Sequence, residues 1–288
     1  MSNLHPPEGP RRRQRAGCGR LVVVGCGHMG LAIVKGLRAS APNRDVVVID
    51  TNSDRIHDIA SSEGLQVWDT MELTHGDFVV LAIPPQVFPA FAVTHRHQFT
   101  AETAVLSVMA GLSTSAISAA LGSRQVVRSI PNTPSAVFQG MSVYFAGPDV
   151  ADETLAEAEI LLQAIGKALR VDDEELVNDA TALCGGGPAF VSYIVDAFCN
   201  FAASCGFSEA DSKEMTVQVF GGTASLIAGS SKTPMQLCEE VMTPNGTTER
   251  GIAAFDAFNL KTSVVAALAA SAERSRELAA VMAGGAPT

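Results

Sequence analysis

No histidine follows His97 in this 288-residue chain, so its C-terminal two thirds offers no imidazole for acid–base chemistry. Lysine is as scarce: Lys35, Lys167, Lys213, Lys232 and Lys261 are all there are. The six cysteines, Cys18, Cys26, Cys184, Cys199, Cys205 and Cys238, contain no CxxC pair, which argues against zinc and a disulfide framework and for reduced thiols. No metal site is implied. Aromatic residues are few, with one Trp and two Tyr, whereas Ala, Val and Leu dominate a chain that is 47% hydrophobic. That composition suits tightly packed helices at a subunit interface. No stretch reaches the length of a membrane span and no apolar run precedes a cleavage site, so no membrane role is expected and the cytoplasm is the expected compartment.

The formal charge is −10, and because residues 1–20 hold five Arg against one Glu, the rest of the chain carries about −14. An acidic body is a poor partner for nucleic acid or an anionic surface. The run Arg11-Arg12-Arg13-Gln14-Arg15 sits among Pro, Gly and polar residues without amphipathic pattern, and residues 1–20 read as a disordered basic tail.

What is present is concentrated between Leu21 and Asp50. Leu21-Val22-Val23-Val24 reads as a buried strand running into Gly25-Cys26-Gly27-His28-Met29-Gly30, and Leu31, Ile33, Val34 and Leu37 continue as a helix. Twenty positions past Gly30, Asp50 and Thr51 close a second apolar run, Val46–Ile49. This is the dinucleotide-binding arrangement in its required context. Gly25 permits the tight turn, Gly27 lets the backbone approach a pyrophosphate, and Gly30 lets helix pack on strand, with the phosphates at the helix N-terminus beside His28 and Met29.

Strands and helices alternate from 21 to about 171. A polar helix is expected over Asp54–Glu63, and strands near Gln66–Trp68, Phe78–Ile83, Val105–Met109, Val126–Ile130, Ser142–Ala146 and Ala168–Val171. The fold class is α/β: an N-terminal Rossmann-type doubly wound sheet over 21–171, then an all-α dimerisation and substrate domain over 172–288. The helix from Pro188 to Cys205 is apolar on nearly all sides, which predicts that a second subunit covers it. Helices are also expected over 208–230, 234–241, 248–258 and 261–282, with Thr233-Pro234-Met235-Gln236 as a capping box.

Ligands of open α/β sheets sit beyond the carboxyl ends of the strands. Three such segments qualify: Ala82-Ile83-Pro84-Pro85-Gln86, Ala110-Gly111, and Ile130-Pro131-Asn132-Thr133-Pro134. In the helical part, Met242-Thr243-Pro244-Asn245-Gly246-Thr247-Thr248 leads into a helix. Its three hydroxyls and free N–H groups suit a carboxylate, the plainer reading being an N-cap at Thr247 or Thr248. The 3-hydroxyacid dehydrogenases share the two-domain plan but use a Lys with an Asn one helical turn later; Lys213 is followed four on by Val217, which disfavours that chemistry.

These residues resemble the Δ1-pyrroline-5-carboxylate reductase family over nearly all of 21–279. The marks are the glycine turn with Met29; Val127-Arg128 leading to Pro131-Asn132-Thr133-Pro134; Thr181-Ala182-Leu183 leading to Gly185 and Gly187-Pro188-Ala189-Phe190; Pro244–Thr248; and Arg274-Ser275-Arg276-Glu277-Leu278. The resemblance implies reduction of a cyclic imino acid to proline with NAD(P)H. It also implies a homodimer with interlocked helical domains, commonly built into a ring of dimers. Carried over from the family, Thr248 donates a hydrogen bond to the ring nitrogen, and Thr243, Gly246 and Thr247 hold the carboxylate. The chain departs from the family where Lys-Pro-Gln becomes Pro84-Pro85-Gln86, Ser-Gly-Ser-Gly-Pro becomes Cys184–Pro188, and Ser-Pro-Gly-Gly becomes Thr243-Pro244-Asn245-Gly246, which puts a side chain in the substrate loop. Such changes also suit reduction of a different cyclic imine; a nucleotide-sensing relative without turnover is a separate reading, and Thr243 and Thr248 count against it. Asp50 favours NADH over NADPH, while Arg55 nearby offers a phosphate partner.

Overall fold

The computed structural model describes residues 19–282, apart from 53–55, 57–59 and 62. The Arg11–Arg15 run and Arg55 therefore lie outside the described residues, as does most of the helix expected over Asp54–Glu63. Within the described residues, Ile56 and Ala60 of that stretch are buried.

Eight strands make one sheet: β1 (Leu21–Val24), β2 (Val46–Ile49), β3 (Gln66–Val67), β4 (Phe78–Leu81), β5 (Ala104–Ser107), β6 (Val126–Ile130), β7 (Gly140–Ala146) and β8 (Gly166–Arg170). Their order is β3-β2-β1-β4-β5-β6-β7-β8. The first six are parallel, with Val24 level with Ile49 on one side and Leu81 on the other. Strands covered on both faces need apolar residues at every position, and β1 and β4 are buried throughout. One apolar cluster, including Val23, Val48, Val80 and Leu106, packs beneath Ile33, Val34 and Leu37 of helix α1 (His28–Ser40). On the other face Val22, Val79 and Val105 meet Phe88 and Ala92 of α2 (Phe88–His95) and Ile117 and Leu121 of α3 (Thr114–Leu121).

β7 runs antiparallel to β6, a feature of the sheet the alternating pattern did not foretell. Only residues 131–139 join them, and a parallel crossover needs a dozen or more. The longer link through α4 (Asp152–Gln163) returns β8 parallel to β7. The sequence pattern does not announce α2, because Pro84, Pro85 and Pro89 around its start suggest a loop; Pro89 lies in its first turn, where no N–H partner is lost.

After β8 the regular elements among the described residues are all helical: α5 (Glu175–Ala180), a π-turn at Thr181–Gly185, α6 (Gly187–Ser204), α7 (Glu209–Ala228), α8 (Pro234–Val241), α9 (Thr247–Ala257) and α10 (Leu260–Met282). Contacts divide the chain into two compact units, one up to Gly186 together with the residues from Ser271 on, the other Gly187–Ala270. The capping box of α8 forms as expected, with the Gln236 N–H donating to Thr233 Oγ1 at 3.2 Å and the Thr233 N–H donating to Gln236 Oε1 at 2.8 Å. Residues 175–204 form one continuous helical run, long and apolar enough to span a membrane by length and composition. That corrects the expectation that no stretch reaches such a length: Gly185–Gly187 and Pro188 read as a break, yet the backbone stays helical through them. The run is nearly unburied within the chain, with Tyr193 79% and Phe201 71% exposed.

Candidate functional site

In the first unit the glycine turn is fixed by contact. Gly25 has φ +93°, and a Cβ there would lie 2.6 Å from the Ala82 carbonyl oxygen; at Gly30 it would lie 2.0 Å from that of Gly25. Both positions exclude any side chain. Gly27 differs, because a Cβ there would meet nothing within 4 Å. It is the N-cap of α1 and supplies no side-chain cap, so the first N–H groups of the helix face open space. His28 is exposed and Met29 half-buried at that helix start. Asp50, at the carboxyl end of β2, accepts the Cys26 N–H at 2.6 Å and the Asn52 N–H at 2.9 Å, which ties the acid to the glycine turn. Exposed Thr51 follows it, and Ala82 continues from β4 beside β1, its N–H donating to the Val24 carbonyl.

Pro84 and Pro85 form the turn into α2, their carbonyls accepting from Val87 and Phe88. Asn132 follows β6, and its Oδ1 accepts the Met141 N–H at 2.9 Å, so this side chain braces the β6–β7 connection. The structure thus brings Gly25, Gly27, His28, Met29, Gly30, Asp50, Thr51 and Ala82 to the carboxyl ends of three adjacent parallel strands. Pro84, Pro85 and Asn132 lie farther along the same sheet end.

Residues 243–248 belong to the second unit. The Gly246 N–H donates to the Thr243 carbonyl at 2.8 Å, closing a tight turn in which Asn245 takes the left-handed conformation at φ +60°. At Gly246 a Cβ would lie 2.8 Å from the Thr243 carbonyl oxygen and 2.3 Å from Thr243 Oγ1, so a side chain there would push on the backbone of the turn. Gly246 is the N-cap of α9 and makes no side-chain cap. The N-cap reading of Thr247 or Thr248 therefore does not hold: both residues are inside the first turn. Among the described residues none hydrogen-bonds the hydroxyls of Thr243, Thr247 or Thr248. A helix N-terminus with free N–H groups and three uncommitted hydroxyls can accept an anion and donate to a neutral atom beside it.

Two further groups went unseen in the sequence. Glu249 Oε2 accepts the Asn245 N–H at 2.6 Å, so a carboxylate folds back onto the loop. The signal was there: an acid three residues past an N-cap commonly reaches back to the preceding amide. In the first unit a cleft of about 500 Å³ is lined by Gly111, Ser113, Arg128, Glu174, Asn178 and Arg276 among others. Buried Arg128 donates to Glu174 Oε1 at 3.3 Å and to Asn178 Oδ1 at 2.5 Å. Burial lowers its pKa from the ordinary arginine value, and Glu174 opposes that shift. Burial also pushes the Cys184 thiol up, away from thiolate chemistry. Among the described residues no three His, Cys, Asp or Glu side chains gather to hold a metal.

Residues 174–278 match the family model described as pyrroline-5-carboxylate reductase dimerisation, and residues 20–111 match one described as NADP oxidoreductase, coenzyme F420-dependent. The chain is 32% identical over 264 residues to a pyrroline-5-carboxylate reductase of Pseudomonas aeruginosa, covering 90% of this chain and 97% of that protein. A solved pyrroline-5-carboxylate reductase from Coxiella burnetii superposes with a TM-score of 0.82 at 29% identity, over 90% of this chain and 98% of that one. A Plasmodium falciparum pyrroline carboxylate reductase, solved with NADP bound, shares the fold at a TM-score of 0.79 and 21% identity, over 90% and 98% of the two chains.

Proposed function

The chain belongs to the pyrroline-5-carboxylate reductase family, and from that premise we propose which of its residues divide the reaction between them. It reduces 1-pyrroline-5-carboxylate to L-proline with NAD(P)H, and it is a homodimer. The single observation that carries the assignment of roles is the loop 243–248, whose threonine hydroxyls are uncommitted at an uncapped helix start.

In this reading Gly25, Gly27 and Gly30, with the backbone of His28 and Met29, hold the pyrophosphate, which the open space at Gly27 and the uncapped start of α1 suit. Asp50 and Thr51 take the ribose, while Ala82, Pro84, Pro85 and Asn132 lie toward the nicotinamide half. The cofactor, when bound, supplies the hydride that reduces the C=N bond. The imine nitrogen can arrive protonated near neutral pH, so no strong side-chain acid is required; the Thr248 hydroxyl oxygen accepts from its N–H in that form and donates to the nitrogen when the imine is neutral. Thr243, Gly246 and Thr247, with Asn245 beside them, receive the substrate carboxylate. Orientation by these contacts supplies most of the rate.

NADH is the preferred cofactor in this account. The Asp50 carboxylate, held by two backbone N–H groups, accepts from a ribose 2′-OH and repels a 2′-phosphate. The helical domains of the two subunits interlock, the dimers associate as a ring, and the enzyme works in the cytoplasm, where thiols such as those of Cys184, Cys199, Cys205 and Cys238 stay reduced. The test is loss of NADH absorbance with pyrroline-5-carboxylate, its six-membered analogue and its 2-carboxylate isomer, then with NADPH. Proline formation fastest from the 5-carboxylate, with higher kcat/KM for NADH, is the expected result. Faster reduction of another ring would reassign the substrate, and equal efficiency with NADPH would remove the role given to Asp50.

A further inference from the structure

We propose that Glu249 determines how strongly the loop binds an anionic imino acid, an inference that rests on residues 243–248 holding the substrate carboxylate. Glu249 stands at the third position of α9, three past the N-cap Gly246, and its Oε2 accepts the Asn245 N–H at 2.6 Å. The neighbouring Gly246 N–H is taken by the Thr243 carbonyl at 2.8 Å. Two of the loop's amides are thus engaged, one of them by an acid belonging to the chain itself. The first intrahelical bond of α9 runs from the Arg250 N–H to the Gly246 carbonyl, which leaves the N–H groups of Thr247, Thr248 and Glu249 for a ligand.

A substrate carboxylate seated on those groups lies in the same short turn as the Glu249 carboxylate. Both anions gain from the positive end of the helix, but each weakens the gain of the other, since like charges sharing a site oppose one another's ionised form. Glu249 also holds Asn245 in its left-handed conformation, which a non-glycine residue adopts at a cost. The side chain therefore does two separable things. Its oxygen shapes the loop, and its charge sets the affinity for the carboxylate. A neutral glutamine keeps an oxygen that accepts from the Asn245 N–H, so Glu249→Gln removes the second effect and spares the first.

The experiment is steady-state kinetics on the dimeric enzyme with pyrroline-5-carboxylate and with 1-pyrroline, which lacks the carboxylate. Glu249→Gln lowers KM for pyrroline-5-carboxylate by about three- to tenfold, the scale of one like-charge pair near a surface, with a smaller effect on kcat and none on KM for 1-pyrroline. Sodium chloride screens the pull of the helix start in both proteins but the repulsion from Glu249 only in the unsubstituted enzyme, so added salt narrows the gap in KM for the carboxylate substrate between the two. An unchanged or raised KM, or the same shift for 1-pyrroline, overturns the proposal. Thr248→Ala, assayed in parallel, keeps the two readings apart: full turnover in that variant sinks the assignment of the loop, whereas lost turnover with an unmoved Glu249→Gln sinks only the role of Glu249.

Discussion

Arg128 stands in the middle of β6, its side chain 3% exposed, yet a hydrophobic residue would pack there at no electrostatic cost. Glu174 shares its charge and at the same time accepts the Thr114 N–H at 2.7 Å and the Thr114 hydroxyl at 2.9 Å, so one carboxylate joins β6 to the first turn of α3. Removing one member of such a buried pair strands the other. Arg128→Met is expected to destabilise the fold by about 3–5 kcal/mol in urea denaturation, and Arg128→Met with Glu174→Gln to recover most of that loss. A loss in the single variant under about 1 kcal/mol would show that the pair contributes little. Asp77 gives a pH signature of the same kind. Burial raises its carboxyl pKa, but bonds from Arg20 and Thr74 outweigh burial and leave it below the ordinary aspartate value. The stability it adds is present above the unfolded-state pKa and is lost as pH falls through the folded one. In Arg20→Met, stability is therefore expected to fall less between neutral and acid pH than in the parent; identical slopes would contradict this. None of these partners was legible in the sequence, because Arg128 and Glu174 are 46 positions apart and Arg20 and Asp77 are 57 apart. Asp50 and the three glycines were legible because the turn they build is local.

At the scale of elements, what could be read followed from short-range rules. The strand–turn–helix at 21–40 and the capping box of α8 are each set by residues within a few positions of one another. The antiparallel β7 was hidden because strand direction depends on the length of the link rather than on the strand itself. Helix α2 was hidden by the prolines at and before its start, Pro84, Pro85 and Pro89. Gly30 tests the strand–turn–helix directly: a methyl group there would sit 2.0 Å from the Gly25 carbonyl oxygen, and backbone cannot step aside as a side chain can. Gly30→Ala is expected to weaken NADH binding by about tenfold or more, from about 1.4 kcal/mol of strain upward, as read by fluorescence titration. Unaltered affinity would mean that the turn tolerates an opened geometry. Helix α6 makes the complementary case, since its apolar circumference already called in the sequence for a second subunit to cover it. Its exposed Tyr193 and Phe201 need a partner surface, so Phe201→Glu is expected to shift sedimentation from dimer toward monomer. A dimer of undiminished affinity would place the interface elsewhere.

For the whole molecule, the account separates two labours. The first unit carries the residues proposed to hold the nucleotide, from Gly25 to Asn132, and the second carries the loop 243–248. Composition showed strand signals ending near residue 171 and a helical remainder without histidine, whereas the compact units part at Gly186 and the residues from Ser271 on belong with the first. It could not anticipate which hydroxyls would be left without partners, because that depends on where α9 begins and on Gly246, not a threonine, serving as its cap. The most direct test is Thr248→Ala, measured for both labours at once. The account predicts a kcat for pyrroline-5-carboxylate lower by about 10²-fold with the Kd for NADH within about twofold of the parent, since the substitution removes only a hydrogen-bond partner of the imine nitrogen. Turnover equal to the parent, or a loss traced entirely to weaker NADH binding, would contradict it.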